Sequence, residues 1–469
     1  MPFLIERSLS FKAGRFKMKT IKQMILITIS FLNLSISHAA TFYVDPIKGS
    51  MVNDGSISNP WKTLEEVVNA NLITTKDKKG TVLNPNSPIK PGDKIILRNG
   101  YHGFVQIKNA FNDKYITVIA ASKHKPTLSG LEVMSAKNWQ FSNLTISPSF
   151  SNTALTGKSI VTIGENNFLG RCYNIILSNS HIYSFDDTQV TTAVDWLDKL
   201  TNAKEGIILG RYGKNLQSIN NYINNVSFGI EIISPNSKAL ANIITDFSKD
   251  GIRTLANNLL IENNVIKNNY VIDGNHPDGI QGFSFNPKLV LSNISLVGNI
   301  ILNRDKKENI YSAILPVIPT YSGTMQGIGF FDGPIESIRV DNNVIMSFAW
   351  PGLSLYDSNN GAITNNIVFT PVQINTIASR ITLGSKNNGG NNTNTLTNNI
   401  AHDYIIENSL GLTRSGNKTV AIGTGKVLFM DRLNLRITDI NTLYGAVHPV
   451  SNQPRISESF MLNGIPSIF

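Results

Sequence analysis

Two short patterns of polar and apolar residues recur along the middle of the chain. One sets a polar pair ahead of an apolar strand, at Ser178-Asn179, Asn220-Asn221, Ala241-Asn242, Asn263-Asn264, Gly298-Asn299, Asn342-Asn343, Asn365-Asn366 and Asn398-Asn399. The other sets Gly before an apolar residue, at Gly206-Ile207, Gly229-Ile230, Gly251-Ile252, Gly279-Ile280, Gly327-Ile328 and Gly352-Leu353. A spacing near 22 residues with short alternating strands is typical of a solenoid. We predict an all-β, single-stranded right-handed parallel β-helix over residues 41–445 and a C-terminal tail over 446–469.

The two ends of this solenoid need closing, because an open coil exposes its core. Apolar residues at Trp61, Leu64, Val67 and Val68 fit one face of a helix. We therefore predict an N-terminal capping helix around Trp61–Ala70. At the far end the pattern degrades after Gly411, and we expect residues 427–440 to close the coil.

Alternation predicts which side chains of the Gly-Ile strands face outward. With Ile252 and Ile280 inward, their neighbours face solvent. The outward column reads Ile208, Glu231, Arg253, Gln281, Gly329 and Ser354. The position before each Gly reads Glu205, Phe228, Asp250, Asp278, Gln326 and Pro351. Adjacent rungs lie about 4.8 Å apart, so we expect Glu231, Arg253 and Gln281 in one stack with Asp250 and Asp278 beside it.

Long loops are concentrated at one corner of the coil. In short coils, the second residue of the polar pair lies 8 or 9 residues before the next Gly. The same distance is 27 residues from Asn179, 15 from Asn264 and 28 from Asn299. Stacked corners bring these loops together, and such loops commonly carry function. We expect loops 184–204 and 304–325 to wall the polar stack, with Tyr270 and His276 on the adjoining loop.

The first forty residues have the pattern of a secretory signal peptide. A basic start at Met18–Lys22 precedes an apolar run from Met24 to Leu34, and Ser37-His38-Ala39 offers a small-x-Ala cleavage site. The apolar run is too short for a membrane span. Residues 1–17 read as an upstream extension, with Met18 as the start. We expect a secreted protein, periplasmic or extracellular, cut near Ala39 or Ala40.

Charge and cysteine content narrow the function class. The formal net charge is +10, and residues 1–40 carry six basic residues against Glu6, so the mature chain keeps only +5. Nucleic-acid binding therefore loses its main support, whereas binding of acidic sugars remains. Cys172 is the only cysteine, which excludes a disulfide framework and a thiolate metal cluster. We expect a monomer without a membrane span.

The opening of the mature chain resembles a known superfamily. Phe42-Tyr43-Val44-Asp45, Asn53-Asp54-Gly55, Asn59–Leu64 and Pro91-Gly92-Asp93 are similar to the start of secreted right-handed β-helix proteins of the pectin lyase-like superfamily. The likeness extends to about residue 445. The resemblance implies the β-helix fold. It leaves the activity open, because this superfamily includes lyases, hydrolases, epimerases and non-catalytic tailspikes. Related lyases use Ca²⁺, which the pair Asp250 and Asp278 could bind through oxygen.

The first chemical interpretation is β-elimination on a uronate-containing polysaccharide. This reaction needs a group that neutralises the sugar carboxylate, a base for the C5 proton and an acid for the leaving oxygen. Arg253 and Gln281 suit the first role, and His276 or Tyr270 suits the others. Asp278 would orient His276 or hold a cation, while Glu231 and Asp250 would contact substrate. We expect Arg253, His276 and Asp278 to be catalytic.

Two other interpretations remain open. Asp250 and Asp278 could act as the carboxyl pair of a glycoside hydrolase, although the Asn-Thr-Asp and Asp-Asp signatures of polygalacturonase-like members are missing from the expected context. Alternatively, Asp before Gly is an ordinary turn residue, and Arg253 may simply pair with Glu231 and Asp250 in a β-helix that only binds sugars.

Overall fold

The computed structural model describes residues 39–420, apart from 154, 156, 167, 187–192, 273–274, 285, 287–288, 304–324, 371–377 and 387–390. The predicted signal peptide, the closing segment 427–440, the tail 446–469 and nearly all of loop 304–325 lie outside the described residues.

The chain folds as a right-handed parallel β-helix. Each typical coil contributes one strand to each of three sheets, and strands of successive coils pair in parallel, as in Ile230–Ile232 with Ile252–Thr254. The third sheet has twelve strands in the described part of the chain. The short strands Thr75–Lys76 and Val82–Leu83 form an antiparallel hairpin beside the first coils.

Sheet 1 carries the Gly-Ile strands. Its members are Ser159–Gly164, Glu205–Leu209, Ile230–Ile232, Ile252–Thr254, Asp278–Phe283, Gln326–Asp332, Pro351–Tyr356, Arg380–Gly384 and Tyr404–Ile406. Sheet 2 consists of Thr41–Val44, Lys94–Leu97, Tyr173–Ser178, Lys214–Ile219, Lys238–Leu240, Leu259–Glu262, Ile294–Val297, Arg339–Asp341, Ala362–Thr364, Thr395–Thr397 and Thr413–Ser415. Two long strands run through both sheets, Phe104–Ala120 and Gly130–Ser142.

Sheet 3 follows the polar pairs. Its strands are Gly100–Tyr101, Pro126–Leu128, Thr145–Ile146, His181–Tyr183, Tyr222–Val226, Ile243–Phe247, Val265–Asn269, Ile300–Leu302, Val344–Met346, Ile367–Phe369, Ile400–Ala401 and Lys418–Thr419. The later coils add a row of short strands, Leu291–Ser292, Ile335–Glu336, Ser358–Asn359, Asn391–Asn392 and Ser409–Leu410.

The predicted stack of glycines is confirmed. A Cβ atom added to Gly251 would lie 2.7 Å from the carbonyl oxygen of Gly279 and 2.4 Å from a methyl carbon of Ile266. The other glycines of the column make the same close approach to the next rung. Gly is needed here because the backbone of one coil touches the next, leaving no room for a side chain.

The second residues of the polar pairs form a hydrogen-bonded asparagine ladder in the interior. The buried amide of Asn264 accepts from the backbone and side chain of Asn242, at 2.9 Å each, and donates to Asn299. The same bonds continue through Asn221, Asn242, Asn264, Asn299, Asn343, Asn366, Asn399 and Asn417. The first member of each pair takes a left-handed turn, at φ 57° for Asn263.

One alignment within the ladder was wrong. The sequence pairs Ser178-Asn179 with Asn220-Asn221, whereas the structure places Asn179 at the left-handed turn position, at φ 51°. Asn220 donates to the Asn179 side chain at 2.7 Å, and the backbone of Ser180 donates to Asn221. Ser180 therefore holds the ladder position in this coil, because a hydroxyl can replace the amide at the start of the stack.

Two α-helices and one 3-10 turn interrupt the strands in the described part of the chain. Helix α1, Leu64–Asn69, starts at the N-cap Thr63 and buries Leu64 and Val67 in the core. It is shorter than the predicted Trp61–Ala70, and its role as a cap stays a prediction. Helix α2, Ala193–Thr201, lies within the long loop 184–204 and was not predicted. The 3-10 turn spans Pro148–Phe150.

The inward side chains form one apolar core along the solenoid. Ile230, Ile252, Ile280 and Ile328 stack in successive rungs of sheet 1 with no exposed surface. Burial of such a column is the main stabilising contribution in a parallel sheet. Among the described residues, no helix is long and apolar enough to cross a membrane.

Candidate functional site

The predicted outward column of sheet 1 has the register that the sequence indicates. Glu231 pairs with Arg253, Arg253 with Gln281, and Gln281 with Gly329. Ser354 follows Gly329 on the next rung. Strand alternation therefore places these side chains on the outer face, with the isoleucines of the same strands in the core.

Arg253 is held by two carboxylates. Its Nε and Nη2 atoms donate to Asp250 Oδ2 at 3.0 and 2.6 Å, and its Nη1 atom donates to Glu231 Oε2 at the longer distance of 3.4 Å. The guanidinium also lies over the ring of Phe228, 4.2 Å from its centroid. Arg253 is thus fixed in place, and its contact with Glu231 is the weakest of the three.

Asp250 and Asp278 occupy equivalent positions but have different partners. Asp250 Oδ1 accepts the backbone N–H of Asp278 at 3.0 Å. The corresponding N–H one rung further on, that of Gln326, donates to the Pro277 carbonyl instead. Asp278 Oδ2 accepts from the Gln281 amide at 2.9 Å, and Asp278 Oδ1 has no hydrogen-bond partner in the described part of the chain.

This unpartnered oxygen faces a position without a side chain. A Cβ atom at Gly329 would lie 2.5 Å from Asp278 Oδ1 and 2.3 Å from the Phe331 ring, so a larger residue at this position would collide with both side chains. Burial raises the pKa of Asp278 well above its ordinary value, and the charge of Asp250 raises it further. Burial also raises the pKa of Asp250, although Arg253 opposes this shift. Of the two carboxyls, Asp278 therefore has the environment that more strongly favours the protonated form.

The polar line continues along sheet 1 beyond Asp278. Gln326 Oε1, Ser354 Oγ and Thr382 Oγ1 are buried and lack hydrogen-bond partners within the described ranges. Ser354 lies one rung beyond Gly329, and it pairs with Thr382 on the rung after that. Buried polar atoms without partners are uncommon in folded proteins, and here three of them follow Asp278 along one sheet.

The sequence did not reveal two contributors to the site, Phe228 and Lys249. Phe228 was placed in the column but given no role, and its ring also lies under the Lys249 ammonium, at 5.2 Å. Lys249 lines a cleft of about 360 Å³ with Lys158 and Lys204. No spacing rule identifies these lysines, because they come from separate loops that only the coiling brings together. Of these lysines, Lys249 precedes Asp250 in the chain, and its charge lowers the pKa of that carboxyl.

The two predicted loop residues differ in exposure. His276 is exposed and precedes the buried strand Asp278–Phe283 by two residues. Tyr270 is only 6% exposed and follows directly after strand Val265–Asn269. Tyr270 is therefore buried where His276 is exposed, and its part in substrate binding stays a prediction.

The carboxyl pair does not fit a calcium ion. Asp250 Oδ1 and Oδ2 and Asp278 Oδ2 all accept hydrogen bonds, which leaves one free carboxylate oxygen where Ca²⁺ takes six to eight oxygen ligands. Within the described ranges, no group of three or more His, Cys, Asp or Glu residues is placed to hold a metal ion. No catalytic step is assigned to a metal here.

The fold and site define a parallel β-helix with a buried acid on the outer face of one sheet. No protein-family model matches the chain, and no curated protein matches it. It is similar in structure to the pectate lyase Pel9A, at 13% identity, 82% coverage of each chain and TM-score 0.43.

Two further solved structures show comparable similarity. The A-module of the Azotobacter vinelandii mannuronan C-5 epimerase AlgE4 shares 13% identity at TM-score 0.43, covering 70% of this chain and 87% of the module. A mannuronic acid specific polysaccharide family 6 lyase from human gut microbiota shares 12% identity at TM-score 0.42, with 81% and 94% covered. The fold assignment itself depends on the parallel register of this chain.

Proposed function

We propose that the chain is an exported polysaccharide lyase that cleaves a uronate-containing polymer by β-elimination. The observation that carries the proposal is Asp278, a buried carboxyl whose Oδ1 atom lies beside Gly329 and has no hydrogen-bond partner among the described residues. A carboxyl that stays protonated at neutral pH is suited to donate a proton to a leaving oxygen.

The remaining roles follow from charge and position. The carboxylate of the sugar needs positive charge or amide hydrogens, which Arg253, Gln281 and Lys249 offer. Arg253 can exchange its long contact with Glu231 for a sugar carboxylate and keep its bonds to Asp250. His276 is exposed and lies two residues before the strand Asp278–Phe283, and its imidazole is the side chain assigned here as the base for the C5 proton.

The reaction then balances without water. His276 takes the C5 proton, the C4–O bond breaks, a C4–C5 double bond forms, and Asp278 gives its proton to the departing oxygen. The neutralised carboxylate stabilises the negative charge that develops at C5.

A panel of acidic polysaccharides tests this function. New ultraviolet absorbance from the unsaturated product is expected with one of them, and His276→Ala should lower turnover roughly a hundredfold because general acid–base residues contribute at least that much. His124→Ala is the control, since His124 bonds the backbone of Asn99 in an early coil. Full activity of both His276→Ala and Arg253→Ala on a confirmed substrate would place the site elsewhere on the solenoid.

Hydrolysis is the second candidate, favoured by the different environments of Asp250 and Asp278. Adjacent carboxyls with separated pKa values are the usual acid and base of a glycosidase. The same panel distinguishes the reactions, because hydrolysis produces reducing ends without new absorbance. Binding without either product would leave a carbohydrate-binding β-helix.

A further inference from the structure

A second polar groove lies at the corner between sheets 1 and 2 in the early coils. This basic groove is lined by Lys78, Phe111, Asn112, Lys137, Tyr173 and Lys214 and has a volume of about 890 Å³. Lys137, Tyr173 and Lys214 are direct partners on three successive rungs. None of its residues belongs to the cluster of Asp250 and Asp278.

The charge of the groove is mostly uncompensated. Lys76 pairs with Asp113 at 2.6 Å, but Lys137, Arg171 and Lys214 form no ion pair with a described residue. The groove adjoins a second cleft of about 560 Å³ that shares Arg171, Tyr173 and Lys214. The basic side chains therefore follow a path several rungs long, which suits an extended polyanion.

A buried side chain inside the groove also lacks a partner. Asn112 is 1% exposed, and neither its Nδ2 nor its Oδ1 atom makes a hydrogen bond to the described residues. The corner behind it is rigid, because Asn215 donates to Asn174 at 2.8 Å and Asn174 donates to Asn138 at 2.9 Å. A buried amide with both functions unused indicates a ligand that can donate and accept.

We propose that this basic groove binds an acidic polysaccharide, whose carboxylates meet Lys137 and Lys214 and whose hydroxyls meet Asn112. Sugar hydroxyls both donate and accept, as the Asn112 amide requires, whereas phosphate oxygens of a nucleic acid backbone only accept. Asp77 and Asp113 also line the groove, and their oxygens can accept hydrogen bonds from sugar hydroxyls. Tyr173 and Phe111 add ring faces against which a sugar can pack.

This binding does not depend on the reaction proposed above, although the ligand class is the same. A polymer held here would be retained while its chain is processed, or would anchor the protein on an acidic glycan. Asp278→Asn should leave the groove's affinity unchanged, so loss of the reaction and loss of the groove can be told apart.

The test is direct binding to immobilised polygalacturonate and alginate, with neutral dextran and single-stranded DNA as comparison probes. Lys137→Ala combined with Lys214→Ala should weaken binding to a uronate polymer about tenfold, because two charges that solvent partly screens are removed. The matched control is Lys62→Ala with Lys418→Ala, which removes the same charge from exposed residues outside the groove. Dextran should not bind.

Three outcomes would overturn the proposal. The first is equal affinity of the groove variant and the control variant for both uronate polymers. The second is no binding of either polymer by the unmodified protein. The third is DNA binding as tight as polysaccharide binding and equally sensitive to the lysine substitutions, which indicates a general polyanion surface. Lys214→Glu alone, at an exposed strand end, repeats the measurement if the double variant unfolds.

Discussion

At the scale of single residues, the difference between Asp250 and Asp278 is decisive. Both precede a glycine of the same column, yet Asp250 has Arg253 and the backbone amide of Asp278 as partners. Asp278 accepts from the Gln281 side chain, and its Oδ1 atom has no partner among the described residues. The difference comes from one backbone hydrogen bond. The Asp278 N–H donates to the Asp250 side chain, whereas the equivalent N–H of Gln326 donates to the Pro277 carbonyl and not to Asp278. The acid is thus a product of local register as much as of residue type.

Asp278 should make stability depend on pH. Its pKa in the folded chain is raised, so the folded chain holds a proton that the unfolded chain releases above its ordinary carboxyl pKa. Its contribution is present at acidic pH and is lost as pH rises through the folded value, at about 1.4 kcal/mol per pH unit. We expect Asp278→Asn to flatten this decline in thermal melts from pH 4 to 9, and an unchanged pH profile would contradict the assigned pKa shift.

Arg253 should contribute to stability as well as to binding. Removing it leaves Asp250 buried without its ion pair, which typically costs about 3–5 kcal/mol. We expect Arg253→Ala to lower the unfolding free energy by that order in denaturant titrations. Adding Asp250→Asn to the same chain should recover much of the loss, because the buried charge is then gone. No recovery would show that packing on Phe228, and not charge, is what Arg253 supplies.

At the scale of elements, the asparagine ladder ties each coil to the next. Asn264 bonds the Asn242 backbone, the Asn299 amide and the Ala239 carbonyl, all in the interior. Each buried group left without a partner costs about 1–3 kcal/mol. The ladder therefore sets the stacking of sheets 2 and 3 wherever the pair recurs.

Two substitutions of neighbouring asparagines test this element. Asn264→Ala should lower the unfolding free energy by roughly 3 kcal/mol or more in denaturant titrations, because several buried groups lose partners at once. Asn263→Gly is the matched control and should be nearly neutral, since its left-handed φ of 57° suits glycine. Similar losses in the two variants would remove the special role of the second position.

At the scale of the whole molecule, the first described strand bears on processing of the chain. The Ala40 amide donates to Asp93 at 2.7 Å, directly before strand Thr41–Val44 pairs with Lys94–Leu97. Cleavage after Ala39 would place a new α-ammonium group beside the Asp93 carboxylate, whereas cleavage after Ala40 would remove this contact. A mature chain that begins at Ala40 would therefore keep this contact, and one that begins at Thr41 would not.

Mass spectrometry of the exported protein checks this prediction. We expect Ala40 as the mature N-terminus, following the small-x-Ala pattern of Ser37-His38-Ala39. Asp93→Ala should lower the melting temperature without moving the cut site, because recognition of the leader precedes folding. Intact Met1 or Met18 on the mature protein would rule out export by this route.

The sequence by itself determined the β-helix, its recurring Asn and Gly positions and the outward column of sheet 1. Repetition makes this possible, because each coil supplies an independent copy of the same local rule. Gly251 and Gly279 could be aligned by their identical contexts, and the period-2 alternation then placed Arg253 and Gln281 without any structure. The alignment failed only at Asn179, where one pair is shifted by a residue.

Only the tertiary structure decided how these side chains are used. The pairing of Arg253 with Asp250, the unpartnered Oδ1 atom of Asp278 and the burial of Tyr270 depend on distances that no periodicity contains. The lysines of both grooves come from loops and strand ends whose separation in sequence varies from coil to coil. Repeats therefore predict which positions stack, whereas charge, burial and pKa depend on what the neighbouring coil places against each one.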